Sequence, residues 1–148
     1  MRAAEMAEEF PVVSADAEAL EAARLLATQR LPGLIVTDER GKPCAILPAS
    51  QVVKFLVPGY VQDDPSLARV VDETLADRVA DKLTGTTVRK LLPERPPELP
   101  VVKANDTMLE VAALMARLRS PLVAVVDGDR IVGAIAASRL LELAMQPH

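Results

Sequence analysis

PVVSADAEALEAARLLATQRLPGLIVTD, residues 11–38, returns as PVVKANDTMLEVAALMARLRSPLVAVVD, residues 100–127. At a constant offset of 89 the two stretches share 13 identities over 28 positions, including Leu20/Leu109, Glu21/Glu110, Arg30/Arg119 and Pro32/Pro121. Chance in a chain this rich in Ala, Val and Leu gives roughly two to four, so the chain carries an internal repeat. One residue is then lost, and Ala49-Ser50 matches Ala137-Ser138 at an offset of 88. Duplicated half-domains pack as a pair about a pseudo-twofold axis. A site is therefore expected between the units, or once in each.

Each copy reads as strand, helix, strand, strand, helix. The segment from Pro11 to Ser14 is a short apolar strand. Residues 16–30 follow as an amphipathic helix, with Leu20, Ala23, Leu26 and Ala27 as its apolar stripe. In the second copy Thr107-Met-Leu-Glu110 fits a capping box, and Leu109, Ala112, Ala113 and Ala116 form the expected stripe. Pro32 and Pro121 stop these helices, because proline has no backbone donor and restricts the residue before it. The continuous apolar runs Leu34–Val36 and Leu122–Val126 predict strands covered on both faces. Asp38-Glu-Arg-Gly41 and Asp127-Gly128-Asp129 are turn signals, the second a hairpin. The returning strands span Pro43–Leu47 and Arg130–Ala136, and the last helices start near Ser50 and Ser138. Cys44, aligned with Val132, is expected in the core.

Between the copies, Asp64-Pro65-Ser66 opens a predicted helix whose Leu67, Val71, Leu75, Val79 and Leu83 recur every four residues, stopped by Gly85. That stripe either covers the core or forms a dimer contact. A short helical turn, Thr87 to Leu92, and a proline-rich lead (Pro93, Pro96, Pro97, Pro100) enter the second copy.

Composition narrows the chemistry. The chain has 148 residues, half of them hydrophobic, with a net charge of −4. That is one domain's worth of core. No run is apolar for long enough to cross a bilayer, and the acidic start (Glu5, Glu8, Glu9) does not fit a signal peptide. A soluble, cytoplasmic protein is expected, without membrane insertion. With no basic run and only Phe10, Phe55 and Tyr60 as aromatics, nucleic acid is not an expected partner. The single histidine, His148, is the last residue, and Cys44 is the single cysteine. Neither a histidine-based triad nor a zinc site is expected, and no phosphate-loop glycine pattern is present. No enzyme activity is expected.

The order of elements in each copy is similar to the CBS motif. The clearest stretches are Pro121-Leu-Val-Ala-Val-Val-Asp127 and Ile131-Val-Gly133-Ala-Ile-Ala-Ala-Ser-Arg-Leu140. Two motifs in tandem resemble a CBS pair, or Bateman module. The resemblance implies an α/β (α+β) fold of two β-α-β-β-α motifs. Motif 1 with its lead-in would span residues 1–58, a helical linker 59–86 and motif 2 residues 87–148. It also implies regulation: two clefts that take AMP, ADP, ATP or S-adenosylmethionine as ligands, with no cofactor required. A homodimer is implied, as is a separate effector such as an enzyme, channel or transporter.

Relatives carry Gly-x-x-Thr/Ser-x-x-Asp on the last strand, the Asp gripping ribose hydroxyls and the Thr/Ser reaching phosphate. Here those places hold Gly133, Ala136 and Arg139 in the second copy, and Ala45, Pro48 and Gln51 in the first. A carboxylate accepts from two vicinal hydroxyls, whereas arginine only donates, so the ribose grip is lost at Arg139. Arginine can instead clamp a phosphate, and its other role would be an internal salt bridge. The resemblance places Ser14, Pro32, Leu34, Pro48, Ser50 and Gln51 around one cleft. Lys103, Pro121, Val123, Ala136, Ser138 and Arg139 would surround the other. A degenerate pair kept as a dimerisation or protein-interaction scaffold is the alternative.

Overall fold

The structure is a computed structural model that describes residues 1–57, 62–66, 79–96 and 99–146. Repeat 1 contains β1 (Val12–Ser14), α2 (Ala19–Gln29), β2 (Gly33–Thr37), β3 (Pro43–Pro48) and α3 (Ala49–Leu56). Repeat 2 mirrors it with β4 (Val101–Lys103), α6 (Met108–Leu118), β5 (Leu122–Asp127), β6 (Arg130–Ala136) and α7 (Ala137–Ala144). The described residues also include three short helices, α1 (Ala3–Met6), α4 (Val79–Leu83) and α5 (Val88–Leu91). Each repeat builds a three-stranded sheet. Its first strand lies parallel to the central one and its third antiparallel.

The central strands are covered on both faces, as their unbroken apolar runs predict. In β2, Leu34 and Val36 turn to the helices of repeat 1, while Ile35 turns to the other sheet. In β5, Val123 and Val125 face the helices of repeat 2, while Leu122 and Ala124 meet Ile35 and Ile46. Strand alternation thus makes three cores, one under each helix layer and one between the sheets.

Both long helices end at an arginine in the left-handed conformation, Arg30 (φ 52°) and Arg119 (φ 50°). The stop therefore falls two residues before Pro32 and Pro121, at a C-terminal cap more commonly filled by glycine. The capping box is formed: the Glu110 amide donates to Thr107 Oγ1 at 3.2 Å, and the Thr107 amide to Glu110 Oε1 at 3.3 Å. The buried stripes differ from those expected. In α6, Val111 and Met115 are buried with Met108 packed beside them, whereas Leu109 is 79% exposed and Ala113 and Ala116 are exposed. In α2, Leu26 is buried as expected and Leu20 and Ala23 pack against the core beside the fully buried Ala19 and Ala22, while Ala27 is exposed. Two helical stripes share almost the same spacing in each segment. In α6 the one with larger side chains, Met108, Val111 and Met115, is buried because it removes more apolar area from water.

Cys44 is also corrected. It is exposed, as is its counterpart Val132, because each is the extra residue at a register shift. Val36 pairs with Ala45 and Thr37 with Pro43, skipping Cys44; Val125 pairs with Gly133 and Val126 with Ile131, skipping Val132. A bulge turns a residue out of the alternation that aligned it with the core.

The segments that lead into the repeats cross over. Ala3 and Met6 of α1, both fully buried, belong to the core of repeat 2. Glu8 pairs with Ala134 on the edge of β6 through two backbone bonds of 2.9 and 3.0 Å. In return, Val88 and Leu91 of α5 fill the core of repeat 1, and the Val88 and Arg89 amides donate to Ala17 and Ala15 carbonyls. Leu83 at the end of α4 joins that same core. Leu67, Val71 and Leu75 of the predicted linker stripe, and His148, lie outside the described residues. No described helix is long and apolar enough to cross a membrane.

Candidate functional site

At one end of each sheet a proline-led strand meets the start of a final helix. The Ala49 amide donates to the Pro32 carbonyl and the Ala137 amide to the Pro121 carbonyl, both at 3.0 Å. Gly33 pairs with Pro48, and Leu122 with Ala136. This geometry brings together Pro32, Pro48, Ser50 and Gln51 in repeat 1, and Pro121, Ala136, Ser138 and Arg139 in repeat 2. Ser50 and Ser138 are exposed second residues of α3 and α7, and neither helix has a side-chain cap. Uncapped amides at a helix start favour an anion.

Four other expected residues stand elsewhere. Ser14 pairs with Thr37 and Lys103 with Val126, at the opposite ends of their sheets. Thr37 lies four strand steps from Gly33, about 13 Å at the usual rise. Ser14 instead accepts a bond from the Asp16 amide at 3.1 Å, and the Lys103 amide donates to Asp106 Oδ2 at 2.9 Å. Leu34 and Val123 are fully buried under the helices, so their side chains do not face a cleft between the sheets. Alternation along the strand decides this, and proximity in sequence to Pro32 and Pro121 does not reveal it.

Both positions that hold the ribose carboxylate in relatives are fastened to a crossing segment. Gln51 Nε2 donates to the Leu91 carbonyl at 3.1 Å. Arg139 lies between two glutamates, with Nη1 3.2 Å from Glu142 Oε1 and Nε 3.6 Å from Glu8 Oε1. The latter pair is too long for a hydrogen bond, and Arg139 Nε is buried without any acceptor. A cation in the first turn of a helix also faces the positive end of the helix dipole, which the two carboxylates offset.

Beside the crossing segment that pairs with β6 at Glu8 lies a groove of about 490 Å³, lined by Glu9, Phe10, Pro11, Val12, Gln29, Ile131, Val132 and Gly133. Most of its wall is apolar, with Glu9 the one charged lining residue. Sequence reasoning did not select these residues. Gly133 was the available signal, and its cause is now visible: a Cβ there would stand 2.5 Å from the Glu8 carbonyl oxygen. Partial desolvation, and next the charge of Asp38, push the Cys44 thiol above its ordinary range, which lowers its thiolate fraction. Among the described residues, no three His, Cys, Asp or Glu side chains gather as a metal site.

The duplicated β-α-β-β-α unit with crossing lead-ins defines a CBS pair. The CBS domain family profile matches residues 3–58 and 88–146, and the chain belongs to that family. A crystal structure of a CBS domain-containing protein of unknown function from Kribbella flavida is similar at 70% identity. It covers 99% of both chains with a TM-score of 0.92. CBSX2 in complex with AMP is similar in fold at 15% identity, over 98% of this chain and 96% of its own, with a TM-score of 0.68. Hypoxic Response Protein I with two coordinated zinc ions has 17% identity, coverage of 99% and 100%, and a TM-score of 0.66. No curated protein matches the chain.

Proposed function

We propose that this CBS pair is a non-catalytic regulatory module that senses a phosphorylated small molecule, of which an adenosine nucleotide is the leading class. The observation that carries the reading is Arg139: a guanidinium with a buried, acceptor-less Nε in the uncapped first turn of α7. Buried donors of this kind are rare and are satisfied by an acceptor when one arrives. A phosphate offers several, in the planar geometry that guanidinium matches. The groove along the first half of β6 has room and apolar wall for a base, and the similarity to an AMP-bound CBS protein supports an adenosine ligand. Ligand binding would shift the balance of arrangements that a separate effector, or a second copy in a cytoplasmic homodimer, reads.

One observation favours the scaffold alternative. Gln51 and Arg139 are both occupied in holding crossing segments, which is a structural use for both former ribose positions.

Thermal shift with AMP, ADP, ATP, S-adenosylmethionine and adenosine separates the two. At a hundredfold excess over Kd a ligand specific to the native state adds about 2.7 kcal/mol, which raises Tm by roughly 5–10 °C. Arg139→Ala is expected to abolish the response to the phosphorylated ligands and spare any response to adenosine. Equal responses in the two proteins would reject the clamp. A flat panel would favour the scaffold.

A further inference from the structure

We infer that Glu8 is a built-in competitor for the anion site at Arg139, so that anion binding lifts the strap formed by residues 7–9 from the edge of β6. This rests on the reading of Arg139 as an anion clamp and adds how the site is gated. Arg139 Nε is buried yet unsatisfied, and the strap's Glu8 is the carboxylate placed against it, at 3.6 Å. Solvent does not reach that atom. An incoming anion therefore reaches it only when the strap moves, and it then takes the place that the Glu8 carboxylate approaches without making a hydrogen bond. The remaining contact of Arg139, from Nη1 to Glu142 Oε1 at 3.2 Å, lies within α7 itself and does not hold the strap.

The strap is fitted for a small displacement. Glu8 is well exposed, and its hold on β6 is the pair of backbone bonds with Ala134. Met6, fully buried in the core of repeat 2, anchors α1 on one side. Phe10, partly buried against the inter-sheet core, marks the other side. Movement is thus confined between two apolar anchors. It also alters the groove, whose walls include Glu9 and Gly133. A site for a phosphate-type anion becomes coupled to the segment that ties one repeat's lead-in to the other repeat.

Inorganic phosphate, titrated against chloride at constant ionic strength, is the probe. Glu8→Gln keeps the size and backbone of the strap while removing the competing charge, and is expected to bind phosphate roughly two- to fivefold more tightly than wild type. Arg139→Gln is expected to remove binding in either background. In wild type, saturating phosphate should speed hydrogen exchange at the Glu8 and Ala134 amides. The Ala124 amide, bonded to the Pro100 carbonyl, should not respond. Glu142→Gln should tighten phosphate binding yet leave basal strap exchange unchanged, whereas Glu8→Gln should speed it. Equal phosphate affinity in wild type and Glu8→Gln would overturn the competition while leaving the clamp standing. Phosphate binding to neither protein would overturn the clamp, and the competition with it.

Discussion

At the scale of single residues, Gly133 shows most directly how a side chain's absence organises this fold. Its backbone lies so close to the crossing strap that a Cβ would meet the Glu8 carbonyl oxygen at 2.5 Å and the Ala7 Cβ at 3.2 Å. Gly133→Val must therefore push the strap off β6 and strain or break the two backbone bonds between Glu8 and Ala134. The expected cost is about 1–3 kcal/mol. That corresponds to a fall in Tm of roughly 2–12 °C, together with faster exchange at the Ala134 amide. An unchanged melting temperature would mean that the strap is not held against the glycine. The sequence marked Gly133 as the glycine of the family's last-strand pattern, but not what approaches it. Likewise, Gln51 and Arg139 were legible as departures from the family pattern. Their partners, Leu91 and Glu8, are 40 and 131 positions away and carry no local signal.

The elements were legible where periodicity and turn chemistry act locally. The hairpin turns are the clearest case. Asp127 pairs with Arg130 across two residues, and Gly128 takes a positive φ of 63°. In repeat 1 the turn is longer and held by Asp38, whose Oδ1 accepts from the Arg40 amide at 2.8 Å and the Lys42 amide at 3.0 Å. These bonds, that of Lys42 first and that of Arg40 next, hold the carboxyl below the usual aspartate range. Because the folded state binds the proton less well than the unfolded one, the carboxylate's contribution is present above about pH 4. It is lost as pH falls through the depressed folded value. Asp38→Asn keeps an acceptor but does not titrate. Wild type should therefore melt above the variant at pH 7, and the gap should close towards pH 2. A gap independent of pH would show that the charge plays no part. What local chemistry did not reveal was the choice between competing stripes on α6. Leu109 and Met108 taken alone are equally apolar, and the choice falls to the stripes as wholes, Met108 with Val111 and Met115 against Leu109 with Ala112, Ala113 and Ala116.

Across the whole molecule, the crossed lead-ins decide how the pair behaves as a unit. Repeat 2 depends on Met6 from the start of the chain, and repeat 1 on Val88 and Leu91 from beyond the linker. The apolar character of these residues was readable in the sequence. Their destination was not, because a four-residue helix has too little periodicity to specify a partner. The third core adds Ile35 and Ile46 from one sheet to Leu122, Ala124 and Ala134 from the other. Neither repeat can therefore lose its structure without exposing buried surface of its neighbour. The chain is expected to unfold in one calorimetric transition, with van't Hoff and calorimetric enthalpies equal. Met6→Ala and Leu91→Ala each truncate a fully buried side chain, at an expected cost of about 2–5 kcal/mol. Although they sit in the lead-ins of different repeats, both should lower that same transition, by roughly 4–20 °C. Two resolved transitions, with Met6→Ala moving one and Leu91→Ala the other, would show that the crossing segments pack on each repeat without joining them. A single transition moved by both would show that the two repeats fold as one unit, so that a disturbance in either lead-in is felt by the whole pair.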